Sequence, residues 1–167
     1  MEKQTPPRTP EQSDLVKLCA ALNAQGASYI VVGGMAIIQQ GFLRATEDID
    51  LLLENSRQNQ LKVRRALETL PDQAVREMSD DDLDTYHVVR IADEIVVDLM
   101  LSACGIAYDD AVDEVERVVI QGVPIPFASA KLLLRTKHIA TKTYLTECFL
   151  NKSLEPVSKV THSSVIC

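Results

Sequence analysis

Two aspartates one residue apart, Asp48 and Asp50, open the apolar run Leu51-Leu52-Leu53, and a glycine pair, Gly33-Gly34, ends another, Tyr29-Ile30-Val31-Val32. Strand side chains alternate between faces, so Asp48 and Asp50 share one face while Ile49, Leu51 and Leu53 point into a core. Their Cα atoms then lie roughly 6.6 Å apart, and at an effective dielectric near 20 two unit charges at that distance repel by about 2.5 kcal/mol. A divalent cation offsets that cost. Mg²⁺, or Mn²⁺ in its place, suits the pair because it takes carboxylate oxygens, keeps several waters and accepts phosphate oxygens as its remaining ligands. The glycines suit the other half of such a site: without Cβ atoms they let a phosphate approach the backbone, and amides opening the next helix face the anion.

A third carboxylate stands out for where it sits. Asp98 interrupts Ile95-Val96-Val97-Asp98-Leu99-Met100, an otherwise apolar strand returning from a hairpin turn at Ala92-Asp93-Glu94. A buried charge without a partner costs several kcal/mol. Either a metal shared with Asp48 and Asp50 across the sheet or a plain salt bridge accounts for it. Arg44, just ahead of the Asp-x-Asp, is placed to pair with a carboxylate or a phosphate. Thr46 either bonds to the local backbone or touches a nucleotide.

The elements that must position these groups follow from periodicity and punctuation. Residues 1–8, with Pro6-Pro7, read as a flexible leader, and Thr9-Pro10-Glu11-Gln12 as a capping box opening a helix through Leu15, Leu18, Cys19 and Leu22 to about Gly26. Strand 28–32, helix 35–40 with Gly41 behind it, the Asp-x-Asp strand, and a helix capped by Ser56 and running to about Leu70 come next. The acidic run 79–84 lacks the spacing of a calcium loop and reads as a capped turn facing water. Lys62, Arg64 and Arg65 read as a solvated helix face. Residues 86–91 pair with 95–100, residues 115–123 form a further strand with Gly122 near its turn, and Ser129 caps a last helix.

Taken together, Gly33-Gly34-x-Ala36, Gly41, Arg44, Thr46 and Asp48-Ile49-Asp50-Leu51 resemble the signature of the polymerase-β-type nucleotidyltransferase superfamily. The double glycine and the fourteen positions from Gly34 to Asp48 are similar to the branch named after the AbiEii abortive-infection toxins. The resemblance covers roughly residues 28 to 137. It implies an α/β (α+β) nucleotidyltransferase fold, a mixed, mostly antiparallel sheet of about 4–5 strands flanked by helices. It implies that Gly33 and Gly34 hold an NTP's triphosphate, and that Asp48, Asp50 and Asp98 form the catalytic metal site. A serine followed eight positions later by a lysine that contacts the triphosphate is matched by Ser129 and Lys137; without the resemblance, Lys137 is an ordinary helix-surface lysine.

The implied reaction transfers a nucleoside monophosphate to an RNA (tRNA-like) or protein hydroxyl, in a toxin–antitoxin or phage-defence setting with a cognate partner protein. A binding module on the same fold and a kinase-like phosphotransferase are the alternatives. Beyond Ala140 the chain departs from the AbiEii-like pattern, so the nucleotidyltransferase domain is read as 9–141 and 142–167 as a divergent, partly disordered segment.

Composition agrees with one domain. At 167 residues, 46% hydrophobic and 25% charged, the chain is ordinary for a globular protein. No apolar run approaches a membrane span, and the N-terminus carries no apolar signal region, so the expectation is a cytoplasmic protein without membrane contact. The four cysteines show no zinc spacing and read as reduced thiols. A net charge of −7 counts against a binder that tracks many phosphates.

Overall fold

The structure, a computed structural model, describes residues 6–143 and 160–163. In chain order its elements are α1 (Gln12–Ala24), β1 (Tyr29–Val32), α2 (Gly33–Gln39), β2 (Asp48–Leu53), α3 (Arg57–Leu67), a 3₁₀ turn (Ala74–Glu77), α4 (Asp82–Thr85), β3 (Val88–Ala92), β4 (Val96–Met100), β5 (Ser102–Ala103), β6 (Ile106–Ala107), α5 (Tyr108–Ala111), a second 3₁₀ turn (Val112–Glu114), β7 (Val115–Ile120), β8 (Val123–Ala128), α6 (Ala130–Thr143) and β9 (Val160–Ser163). One mixed sheet orders its strands β7-β8-β1-β2-β4-β3-β9, and β5-β6 forms a small hairpin apart from it. Within the large sheet only β1–β8 and β2–β4 run parallel. This is the α/β fold expected, with seven strands among the described residues rather than about 4–5.

The extra strands come from places where local signals misled. Residues 115–123 are not one strand: Gln121 and Gly122, at φ 51° and 81°, turn the chain, and Val123–Ala128 returns beside β7. Pro124 and Pro126 argue against a strand there, but they lie two apart, so both missing N–H donors fall on one edge and the other edge keeps its own. β9 pairs with β3 through Val160 to Ser163, a contact that no local pattern announces.

β1, buried at every position, pairs antiparallel with β2. α1 buries Leu15, Leu18, Cys19 and Leu22, and packs on α3 and β8. Burial pushes the Cys19 thiol up to about 12, as befits a structural cysteine. Cys19 is a buried free thiol, while Cys148 and Cys167 lie outside the described residues.

α1 begins at Gln12, later than a box on Thr9 and Gln12 requires. Asp14 accepts the Glu11 amide at 2.7 Å and a fork from Arg8 at 2.7 Å on each oxygen. Arg8 is itself tied by its backbone N–H to the Glu94 carbonyl (2.9 Å). That tether holds the segment before α1 extended and shifts the cap to Glu11. Residues 1–5 of the expected leader lie outside the described residues, but Arg8 is anchored.

The Arg8 bond, opposed by burial, sets the Asp14 carboxyl below its ordinary value. A lowered folded-state pKa contributes stability above the ordinary carboxylate range and loses it as pH falls through the folded value. Asp14→Ala is therefore expected to cost about 1 kcal/mol at pH 7. In paired denaturant melts the gap from wild type should hold at neutral pH and close as acid protonates Asp14.

Ser56 caps α3 as expected, accepting the Asn59 amide, though the helix stops at Leu67. Buried Asn59 closes the β1 and β2 ends, donating to the Ser28 and Glu54 carbonyls and accepting the Ser28 amide. The acidic run is a capped turn, with Asp82 accepting the Ser79 amide. Arg57 and Arg64 reach it from α3, so Arg64 is an ion-pair partner of Asp80 rather than part of a solvated face.

Candidate active site

The β2–β4 register decides the site. Parallel pairing sets Asp50 beside Asp98 and Asp48 beside Val96, so all three carboxylates project from one face of adjacent central strands. One oxygen from each of Asp48, Asp50 and Asp98 lies within 4.8 Å of the others. Oxygens binding one Mg²⁺ at about 2.1 Å are about 3.0 Å apart in adjacent octahedral positions and about 4.2 Å in opposite ones, so the side chains must close on the ion to hold it. The donors are all hard oxygens, which suits Mg²⁺ or Mn²⁺ rather than a softer metal.

The glycine pair has a reason that sequence reading did not supply. Gly33, at φ +62°, has no room for a Cβ: one built there would lie 2.0 Å from Asp50 Oδ2 and 2.6 Å from its Cγ. A Cβ on Gly34 would come 2.4 Å from Thr46 Oγ1. Both glycines thus make way for the chain's own side chains, seating Asp50 and Thr46 directly on the β1–α2 turn. Thr46 Oγ1 donates to the Asp48 carbonyl at 2.9 Å, the local bond that was one of its two expected roles.

Arg90 is the residue that sequence reading missed. From β3 it lies opposite Asp98, donating through Nε to Oδ1 at 2.8 Å and through Nη2 to Oδ2 at 2.7 Å. The same Nη2 donates to Asp48 Oδ2 at 3.0 Å. The Asp98 bond raises the guanidinium's pKa further, against the opposing effect of burial. The salt bridge weighed as an alternative for Asp98 is therefore present together with the carboxylate cluster. Hairpin arithmetic carried the signal: 90 and 98 are equidistant from a turn centred on residue 94.

A cleft of about 300 Å³ is lined by Gly33 and Asp50 together with apolar Leu52, Met100, Leu132 and Leu133. That volume is at the lower limit of small-ligand sites.

The sequence model of the aminoglycoside-2''-adenylyltransferase family matches residues 14–142. The chain belongs to that family. No curated protein matches it. Its fold is similar to that of a candidate nucleotidyltransferase from Thermotoga maritima, with a TM-score of 0.56 and 17% identity over 80% of this chain and 89% of that one. The coarser expectation, a nucleotidyltransferase, thus rests on the sequence family, and the structural likeness shows the fold.

In this adenylyltransferase-family chain the remaining expected residues divide. Arg44 is exposed and lines the cleft together with Gly33 and Asp50, and among the described residues no hydrogen bond or ion pair holds it. Ser129 caps α6, its Oγ accepting the Leu132 amide at 3.2 Å. Lys137 falls within the α6 backbone, but its side chain lies outside the described residues. Of the divergent segment 142–167, residues 144–159 and 164–167 lie outside them altogether. Among the described residues no helix is long and apolar enough to cross a membrane.

Proposed function

We propose that this chain is a Mg²⁺-dependent nucleotidyltransferase that moves a nucleoside monophosphate from an NTP to a hydroxyl of a small cationic acceptor of the aminoglycoside kind. The convergence of Asp48, Asp50 and Asp98, with Asp50 lining a cleft, carries the reading. The acceptor class is supported by the family's name and by the net charge of −7, which attracts a polyamine and repels RNA.

Asp48, Asp50 and Asp98 would hold the metal, which when bound supplies charge neutralisation on the triphosphate and polarisation of the phosphoryl oxygens. Gly33 and Gly34 shape the turn against which the triphosphate lies. Arg44, and Lys137 from α6, neutralise phosphate and leaving-group charge. The acceptor oxygen attacks the α-phosphorus in line, the bond to the bridging oxygen breaks, pyrophosphate leaves, and the hydroxyl proton passes to Asp98 and on to solvent. Catalysis here is positioning and charge stabilisation.

A macromolecular acceptor or partner, as in AbiEii-like toxin–antitoxin systems, is the second reading. Phe42 and Leu43, exposed beside Arg44, support it, since large apolar side chains side by side suit a protein contact.

The test incubates the protein with Mg²⁺, NTPs labelled at the α or γ position, and in parallel an aminoglycoside panel, total RNA and total protein. α-Label on an aminoglycoside, lost in Asp48→Ala, is the expected result. α-Label only on RNA or protein replaces the first reading with the second, γ-label shows a kinase, and nucleotide binding equal in wild type and Asp48→Ala with no transfer leaves a binding module.

A further inference from the structure

Resting on that reading of the carboxylates as a metal site, we propose that Arg90 is an internal counter-ion that competes with the divalent cation, so that the nucleotide-free protein holds metal weakly. The guanidinium occupies both oxygens of Asp98 and one of Asp48, atoms that the cation also needs. Three carboxylates and one guanidinium leave a formal charge of −2. Without Arg90 the cluster would carry −3 and attract a divalent ion more strongly. Arginine does not deprotonate, so pH cannot relieve the competition; only displacement of the side chain can.

The placement permits displacement. The Arg90 side chain is 38% exposed, against 7% for Asp98 and 15% for Asp48, so the cation sits on the solvent side of the anions it bridges. A triphosphate arriving with the ion brings negative charge that takes up a guanidinium released from Asp48. The binding of metal and nucleotide is thereby coupled: each lowers the cost of the other's arrival.

A guanidinium that merely ties β3 to β4 predicts otherwise. Its loss would loosen Asp98 and weaken metal binding. Arg90→Gln removes the charge, and Arg90→Lys keeps it without the fork.

The experiment titrates Mn²⁺ into the full chain without nucleotide at pH 7, by electron paramagnetic resonance, with a thermal melt confirming that each variant is folded. Arg90→Gln is expected to bind Mn²⁺ about tenfold more tightly than wild type and Arg90→Lys within about threefold of it. Saturating non-hydrolysable triphosphate should narrow the Gln-to-wild-type gap. Unchanged or weaker binding by Arg90→Gln overturns the inference while the metal site stands. No Mn²⁺ binding by either protein removes both. Should Arg90→Gln not fold, the Arg90 Nε resonance of the wild type, followed by NMR, is expected to move on Mg²⁺ saturation in the presence of the triphosphate, and a fixed resonance overturns the proposal.

Discussion

Asp50→Asn should transfer nucleotide about a thousandfold more slowly than wild type. Asp50 stands beside two like charges, Asp48 two residues away on its own strand and Asp98 at the matching position on the next. It belongs to the carboxylate cluster and also lines the cleft. The amide keeps nearly the same shape, so the catalytic loss follows from removing one metal ligand, with about 4 kcal/mol of transition-state stabilisation gone with it. A single-turnover assay reads the effect, and a calorimetric scan checks that the variant is folded. A folded variant that retains activity would mean that Asp50 is structural.

Gly33→Ala should cost both stability and activity. Any side chain at φ +62° is strained by about 1–2 kcal/mol, and overpacking adds at least about 1 kcal/mol more. The expected fall in Tm is about 5–10 °C. The collision is specific. A new Cβ meets the Asp50 carboxylate at Oδ2, Cγ and Cβ, the last at 3.0 Å, so rotating the carboxylate away does not clear it and the strand itself must shift. Moving Asp50 out of the cluster should lower transfer by about the same thousandfold as neutralising it. Gly105→Ala is the control, because Gly105 has φ +81° and open space where its Cβ would go. It should show the strain cost without the catalytic one. Combining Gly33→Ala with Asp50→Ala should recover part of the stability lost in Gly33→Ala alone, since the contacts with Oδ2 and Cγ are gone and only the one with Cβ remains. A fully active Gly33→Ala protein would disconnect the glycine turn from the site.

How far the molecule could be read in advance varied by the range of the interaction. β1, β2 and β4 follow from apolar runs with period-2 spacing, and their ends fall within a residue or two of expectation. Ser56 and Ser129 cap helices because capping is a bond to an amide three residues on. β8 was hidden by its prolines and β9 by a partner far away in sequence. Thr9 lost its capping role to Glu11 and Asp14 because Arg8 is tied to Glu94 from the far side of the chain.

Within the site the same division holds. The alternation of a strand puts Asp48 and Asp50 on one face wherever that strand lies, and the interruption of an apolar run by Asp98 demands some partner. Those statements need only covalent spacing. That Asp98 stands beside Asp50, that Arg90 bridges Asp98 to Asp48, and that Gly33 is bare because Asp50 occupies the space beside it are matters of strand register. Register between β2 and β4 is set by the burial of Ile49, Leu51, Val97 and Leu99 together, a sum over residues about fifty apart in the chain. Local sequence therefore determined which side chains face the site, and only the packed sheet decided which of them meet, because a one-residue slip would have kept every strand and turned the carboxylates to opposite faces.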